Sequence, residues 1–519
     1  MNIYPTSAAA SVVSRPESAY ILRKEREEQE NNHDQVELDD LDAGVGRSSG
    51  YVNRVEEDGQ NLSEKSIQRS VLVAEQSASS SDIMDGLDDH SKFPDSGLTA
   101  WIVVVGSFVG LLGGLGVLNT TGVIQAYIQN NQLADIKVST VSWIFSIYTF
   151  LSFFGGFIVG PLFDYAGCQI PMIAGILCLC GGLMGSGSST TVWQFVLSFG
   201  IASGSGTCLL MTPLIGVISH WFLRKRAIAV GFAMAGSAIG GIVYPLLLRS
   251  LYVKVGFPWA MRILGFVCFA VLSVSLILVK DRCSEMRIYR LQRSGYSDED
   301  IANLKIDSKK IIKEIFGSMD FKGFKDKSYL FFTISVLFNE VSLFIVLTYF
   351  VSYAMAQGVD ESTAIVLLTV VSSAGAPGRY VTGYLADKYG RFNVMFTALT
   401  VMTILMLVIW VGFGKYLGAM YAFAVTYGFL GGSTISLTPV CCGQISKTED
   451  FGKRYGTAYC VVAFGILVGL PIAGAIIGDN GSVKGYQNMA IFSSVLCAVG
   501  SFFMFLARYS IVGLKITKV

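Results

Sequence analysis

Charge is what this sequence has least of for its size. Asp, Glu, Lys and Arg together make up 15% of 519 residues, against roughly a quarter in soluble proteins. A chain so poor in charge is not built to face water on all sides. Histidine is scarcer still: His33, His90 and His220 are too few and too scattered for a metal centre, and no metal or cofactor is expected. The ten cysteines form neither a CxxC…CxxC zinc pattern nor a disulfide framework. Nine of them lie in or beside apolar stretches and read as small apolar side chains. No phosphate-binding G-x-x-x-x-G-K-[ST] occurs, because Gly414-Lys415 and Gly452-Lys453 lack the following Ser or Thr, which excludes a nucleotide-driven pump. TVGYG, HExxH and Ser/His/Asp groupings are also absent, so neither an ion channel nor a membrane enzyme is indicated, and no catalytic residue is expected. Nothing points to nucleic acid as a partner. The polar N-terminus lacks the short apolar stretch of a cleaved signal peptide.

The few charges are unevenly placed. Residues 1–97 hold 9 Lys+Arg against 20 Asp+Glu, a net of −11, leaving 30 against 18 for the rest. This acidic segment is rich in Ser, Asn and Gln and has no sustained apolar period. It cannot bury enough surface to offset the entropy of ordering it, and a disordered tail is expected. Trafficking or ubiquitination machinery is the kind of partner such a tail would meet.

Apolar side chains are abundant, at 52% of the chain with a mean hydropathy of +0.54. A spanning helix needs about 20 mostly apolar residues to cross roughly 30 Å of hydrocarbon. Twelve such runs can be read from the sequence. They lie near 99–127, 139–163, 171–189, 191–220, 227–251 and 259–280, then 329–356, 362–386, 392–413, 416–443, 456–478 and 486–508. The expected protein is therefore all-α and integral to a lipid bilayer, with twelve transmembrane helices in two six-helix bundles. Its expected parts are the tail (1–97), an N-terminal bundle (98–280), a central loop (281–328), a C-terminal bundle (329–508) and a short end (509–519). The central loop carries 11 Lys+Arg and 9 Asp+Glu.

Basic residues in short loops set orientation. Arg224-Lys225-Arg226, the central loop, Lys388, Arg391, Lys447, Lys453 and Arg454 all fall on the side of the N-terminus. The opposite side holds only Lys137, Lys254, Lys415 and Lys484, with Arg249 and Arg262 at helix ends. Both termini are thus expected in the cytosol.

The two halves repeat a motif. Gly160-x-x-x-Asp164-x-x-Gly167 follows the second run, and Gly383-x-x-x-Asp387-Lys388-x-Gly390-Arg391 follows the eighth, each matched pair being 223 residues apart. Glycine allows close helix approach or a tight reversal, and an Asp favours the positive end of the next helix. These eight residues are read as a duplicated cytosolic gate. The motif resembles the loop signature of the major facilitator superfamily, although the first copy has Cys168 and Gln169 where that family usually has basic residues.

The fifth run opens His220-Trp221-Phe222-Leu223-Arg224-Lys225-Arg226 and continues through Gly231 to Gly236. This resembles a signature of the monocarboxylate porter family. Asp95, Gly97 and Trp101, ahead of the first run, loosely resemble that family's other signature. Asn130-Asn131-Gln132-Leu133, Ala376-Pro377-Gly378-Arg379-Tyr380 and the string from Pro439 to Tyr455 resemble its fungal branch, riboflavin carriers in particular. The resemblance implies a secondary transporter working by alternating access, with riboflavin taken up by facilitated diffusion across a plasma membrane. A vacuolar or other internal membrane is the alternative location.

Ionisable groups at membrane depth usually face a cavity, which singles out Glu340, beside Asn339, and Arg379. Arg379 lies four residues before Gly383, where the family keeps a substrate-linked Arg. The family's Asp four residues earlier is Gly375 here, and no basic side chain occurs in 102–128 in place of its first-helix Lys. A neutral aromatic solute fits these departures better than a proton-linked monocarboxylate, which remains the alternative. A non-transporting nutrient sensor is the alternative of another class. Asn119, Trp143, Tyr148 and Tyr349 are further candidates to touch a solute by stacking or hydrogen bonding.

Overall fold

The computed structural model describes residues 97–222, 226–283, 319–446, 451–478 and 481–513, with isolated positions 94, 285, 288 and 517. The expected disordered tail lies outside the described residues, apart from positions 94 and 97. So do Asp95, Arg224, Lys225 and most of the central loop.

Backbone polar groups in hydrocarbon must be satisfied within the segment that carries them, and the long apolar runs accordingly fold as helices. These are α1 (Leu98–Asn130), α2 (Val138–Phe163), α3 (Gln169–Ser186) and α4 (Val192–His220). A fifth stretch, Arg226–Leu278, bends at Gly256 (φ +71°) into α5 (226–255) and α6 (257–278). The second set comprises α7 (Lys327–Ala356), α8 (Glu361–Tyr389) and α9 (Arg391–Gly412), then α10 (Leu417–Gln444), α11 (Phe451–Ile477) and α12 (Val483–Val512).

Ten described segments are long and apolar enough to cross a membrane. Two facts join that figure to the expected twelve. One segment holds both α5 and α6, and α10 falls short in hydropathy because Gly, Ser and Thr dilute it, although its 28 residues include no charged side chain. The N-caps follow local chemistry: Asp326, Asp360 and Ser482 accept from the backbone N–H groups of Ser328, Thr363 and Gly485. Two stretches depart from α geometry into π-helical turns, Val196–Ser203 in α4 and Met406–Gly412 in α9.

Contacts at the helix ends show the chain passing up and down. At the terminal face, where the helical region begins and ends, Trp101 of α1 packs edge-on to Phe222 after α4 at 5.4 Å. There too the Trp221 indole N–H donates to the Lys280 carbonyl after α6. On the same face Ser510 of α12 bonds Ser328 of α7, and Arg508 donates to Asn393 of α9. At the far face Tyr127 of α1 stacks on Tyr252 of α5 at 4.0 Å, and Tyr353 of α7 lies edge-on to Trp410 of α9. Helices α1–α6 pack mainly on one another, as do α7–α12, and the two sets meet along α2–α11, α5–α8 and α1–α7.

The repeat seen in the loops extends into the packing. A Cβ on Gly204 of α4 would lie 3.0 Å from the Tyr148 Cα of α2. In the second half a Cβ on Gly428 of α10 would lie 2.9 Å from the Val371 Cα of α8. Tyr148 and Val371 are 223 residues apart, and Gly204 and Gly428 are 224 apart. Gly155 and Gly378, again 223 apart, press on the same partner helices, at Cys208 and Phe429. Glycine at these points removes the side chain that would hold the helices apart.

Candidate functional site

The tight α8–α10 seam leaves a small cavity between the two halves. Its wall includes Gly375, Gly428, Gly431 and Gly432 from the seam, Leu343 and Leu347 of α7, and Ala238 of α5. Its polar lining is Arg379 and Ser372 of α8, Asn119 of α1 and Tyr427 of α10. The volume is about 40 Å³, room for a few water molecules.

Arg379 is the cation of this cavity and is already partly engaged. Its Nη1 donates to the Met234 carbonyl at 2.9 Å and to Ser237 Oγ at 3.3 Å, both on α5, while its buried Nε has no partner. Asn119 Nδ2 donates to the Ser237 carbonyl at 2.9 Å. Two polar side chains from opposite halves thus converge on one turn of α5. That turn follows Gly236, whose missing side chain lets α5 sit against the Phe108 backbone of α1. Gly236, singled out in the sequence, therefore acts through packing. Gly231, by contrast, has nothing within 4 Å of a would-be Cβ.

The other predicted contact residues lie elsewhere. Tyr349 is buried where the halves meet toward the far face: it bonds Ser142 of α2, donates to the Leu470 carbonyl of α11 at 3.0 Å, and has Gln125 of α1 within reach. Tyr148 is buried inside the first half, sharing a 3.0 Å hydrogen bond with Thr207 and packing on Phe199. Asn339 donates to the Ser335 carbonyl and packs against Gly500 of α12, on the side of α7 toward α12. Trp143 is 43% exposed on the outer face of α2. Glu340 is buried, at 3% exposure, and makes no ion pair with Arg379; Tyr459 of α11 lies within hydrogen-bonding reach of its carboxyl.

At the terminal face the repeated loops use the same backbone device. Gly167 has φ +76° and Gly390 φ +99°, a region that side-chain-bearing residues rarely enter. At Gly167 a Cβ would also come within 2.8 Å of Asp281 Oδ2. Asp281, just past α6, accepts from the backbone N–H of Cys168 at 2.6 Å, tying the start of α3 to the end of α6. Burial pushes the Asp281 carboxyl up, but the Cys168 and Cys283 donors outweigh it and hold it below the usual carboxylate value. Asp387 and Lys388 are exposed, the latter 5.3 Å over the Tyr389 ring, and Arg391 lies near Cys441 of α10. The side chains of Asp164 and Arg226 are outside the described residues. Among the described residues, no atom beyond the local helix backbone lies within 4 Å of a would-be Cβ at Gly160 or Gly383. The close approaches lie five residues earlier in each half, at Gly155 and Gly378.

Sequence reasoning did not single out Ser237, Ser372, Tyr427 or Ser142. Ser237 directly follows Gly236 and Tyr427 precedes Gly428, so polar neighbours of seam glycines were the available signal.

The Major Facilitator Superfamily model matches residues 103–443 and 329–512 in two overlapping stretches. The chain is 38% identical over 438 residues to the riboflavin transporter MCH5 of Saccharomyces cerevisiae, covering 83% of this chain and 82% of that protein. It is 30% identical over 422 residues to the aspyridones efflux protein of Emericella nidulans, covering 81% and 80%. Among solved structures, the nucleoside transporter NupG superposes with a TM-score of 0.60 at 13% identity, over 79% of this chain and all of that one.

Proposed function

We propose, from the premise that this chain belongs to the major facilitator superfamily, that it carries riboflavin by alternating access and moves it down its own gradient. Membership makes the chain a multi-pass membrane transporter and not an enzyme; the cargo and its energetics are the proposal. The observation that carries it is the lining of the cavity between the halves. One arginine, an asparagine, a serine and a tyrosine meet there without a carboxylate. The flavin's imide edge offers carbonyl oxygens for the free Nε of Arg379 and the amide of Asn119, and its ring system suits the Tyr427 face. The yeast relative named for riboflavin supports the same cargo, and the residues that resemble the fungal monocarboxylate porters are in keeping with it. The cavity as described is far smaller than a tricyclic ring, so the cycle must widen it by parting the halves.

The terminal face is assigned to the cytosol by its basic residues, and the plasma membrane is the proposed location. Gly160, Asp164 and Gly167, with Gly383, Asp387, Lys388, Gly390 and Arg391, are proposed to gate that face.

The test is purified protein in liposomes, given labelled riboflavin or labelled lactate with and without a pH gradient. Riboflavin uptake and counterflow are expected. Lactate uptake stimulated by inward protons, without riboflavin uptake, would overturn the cargo. If neither compound moves, the riboflavin reading falls, leaving export of another organic solute, as the efflux relative is named for, or a non-transporting sensor.

A further inference from the structure

Glu340 is a carboxyl that the cargo site does not use. It sits in the middle of α7, 3% exposed, and its Oε1 has no hydrogen-bond partner. Among the described residues no Lys, Arg or His pairs with it. The titratable groups around it are Tyr427 of α10, Tyr455 and Tyr459 of α11, and Cys497 of α12 beyond Tyr427. The cation of the cavity, Arg379, is bonded to α5 instead. An unpaired carboxylate at this depth is costly, and neutralisation by a proton is the ordinary escape.

The surroundings make that proton more than structural. Tyr459, whose hydroxyl reaches Glu340, also packs against Phe153 of α2, with ring centroids 5.6 Å apart. Phe153 in turn lies edge-on to Phe344 of α7, one turn beyond Glu340. Phe464 of α11 touches Phe150 and Phe154 of α2. Glu340 is therefore roofed by the seam where the halves meet, and its burial depends on α2 and α11 lying together. On the cavity side Tyr427 has a buried, unpartnered hydroxyl.

We propose that Glu340 is a proton-binding site of this carrier, occupied while α2 and α11 lie together and emptied when that seam parts. A proton bound by one conformation and released by the other favours the first as pH falls. A proton taken up and released on the same side alters the rate without driving cargo uphill, so this agrees with downhill transport. The inference rests on the carrier reading but not on riboflavin being the cargo.

The experiment uses the full chain in lipid without cargo, so failure of the riboflavin assignment would show only in the uptake assay. Spin labels at Asp135→Cys and Lys484→Cys, both exposed at the far face, report the separation of the halves. A carboxyl infrared band, titrated on the same preparation, reports the proton. Acidification is expected to enrich the population with the seam closed, by up to about tenfold per pH unit, the limit for one proton. Glu340→Gln should lose both the titrating band and the pH response. Tyr459→Phe removes a donor to the charged form and should move the midpoint to higher pH, which keeps the test open if Glu340→Gln does not fold. A population indifferent to pH, or a Glu340→Gln protein with the full wild-type response, would overturn the proposal.

Discussion

Arg379 is where single-residue chemistry has most at stake. Its guanidinium bridges α8 to the backbone of α5 and keeps one N–H free. Charge-assisted hydrogen bonds of this kind contribute about 1.5–3 kcal/mol. Arg379→Ala is therefore expected to lower initial uptake by about tenfold or more while the protein still reaches the membrane. Uptake per surface-labelled molecule checks it; near-normal transport would remove Arg379 from the site. Arg379→Lys keeps the charge but not the planar fork, and only partial rescue is expected. The glycines divide in the same residue-by-residue way. Gly378→Ala sets a Cβ against the Phe429 backbone, whereas Gly383→Ala meets nothing within 4 Å. Overpacking costs typically about 1–3 kcal/mol, so melting in detergent should drop for the first and barely change for the second.

At the level of the elements, helix ends are held by specific loop chemistry. Asp281 fastens the beginning of α3 to the end of α6 through the Cys168 N–H. Its carboxyl is held below its usual 3.8, so the charged form is the one the fold prefers. That stabilisation is present above the usual value and is lost as pH falls through the lowered native one. Asp281→Asn should melt below wild type at neutral pH, with the gap shrinking once pH drops under 3.8. A gap independent of pH would assign the loss to shape instead of charge. The α5–α6 hairpin makes a different point, because Gly256 alone breaks what is otherwise one continuous helix.

For the whole molecule, the two halves are joined toward the far face by several small contacts. Tyr349 of α7 bonds Ser142 of α2, Asn130 reaches Met355, and Arg249 donates to Ser362. Each is modest, at about 1 kcal/mol, so together they form a latch that a transport cycle can open. Joining Asn130→Cys to Met355→Cys with a short bis-maleimide should stop uptake, while either single variant treated alike should remain active. Uptake that survives complete cross-linking would show that this face need not part.

Much of this was legible from composition and spacing alone. Long apolar runs had to become helices because hydrocarbon offers the backbone no other partner, and the 223-residue offset between Asp164 and Asp387 disclosed the duplication before any coordinates. The positive-φ reversals at Gly167 and Gly390 were readable from glycine at matched turn positions. The site was less so. Asn339 and Glu340 are adjacent in sequence yet point to different neighbours, and Tyr148, Tyr349 and Trp143 share one residue class but occupy three environments. A helix turns 100° per residue, so periodicity limits which side chains share a face without saying which helix that face will meet. Only packing of α8 against α10 and α5 placed Arg379 on Met234 and Ser237. Only the meeting of α2 with α11 left Glu340 buried and, among the described residues, without a cation to pair with.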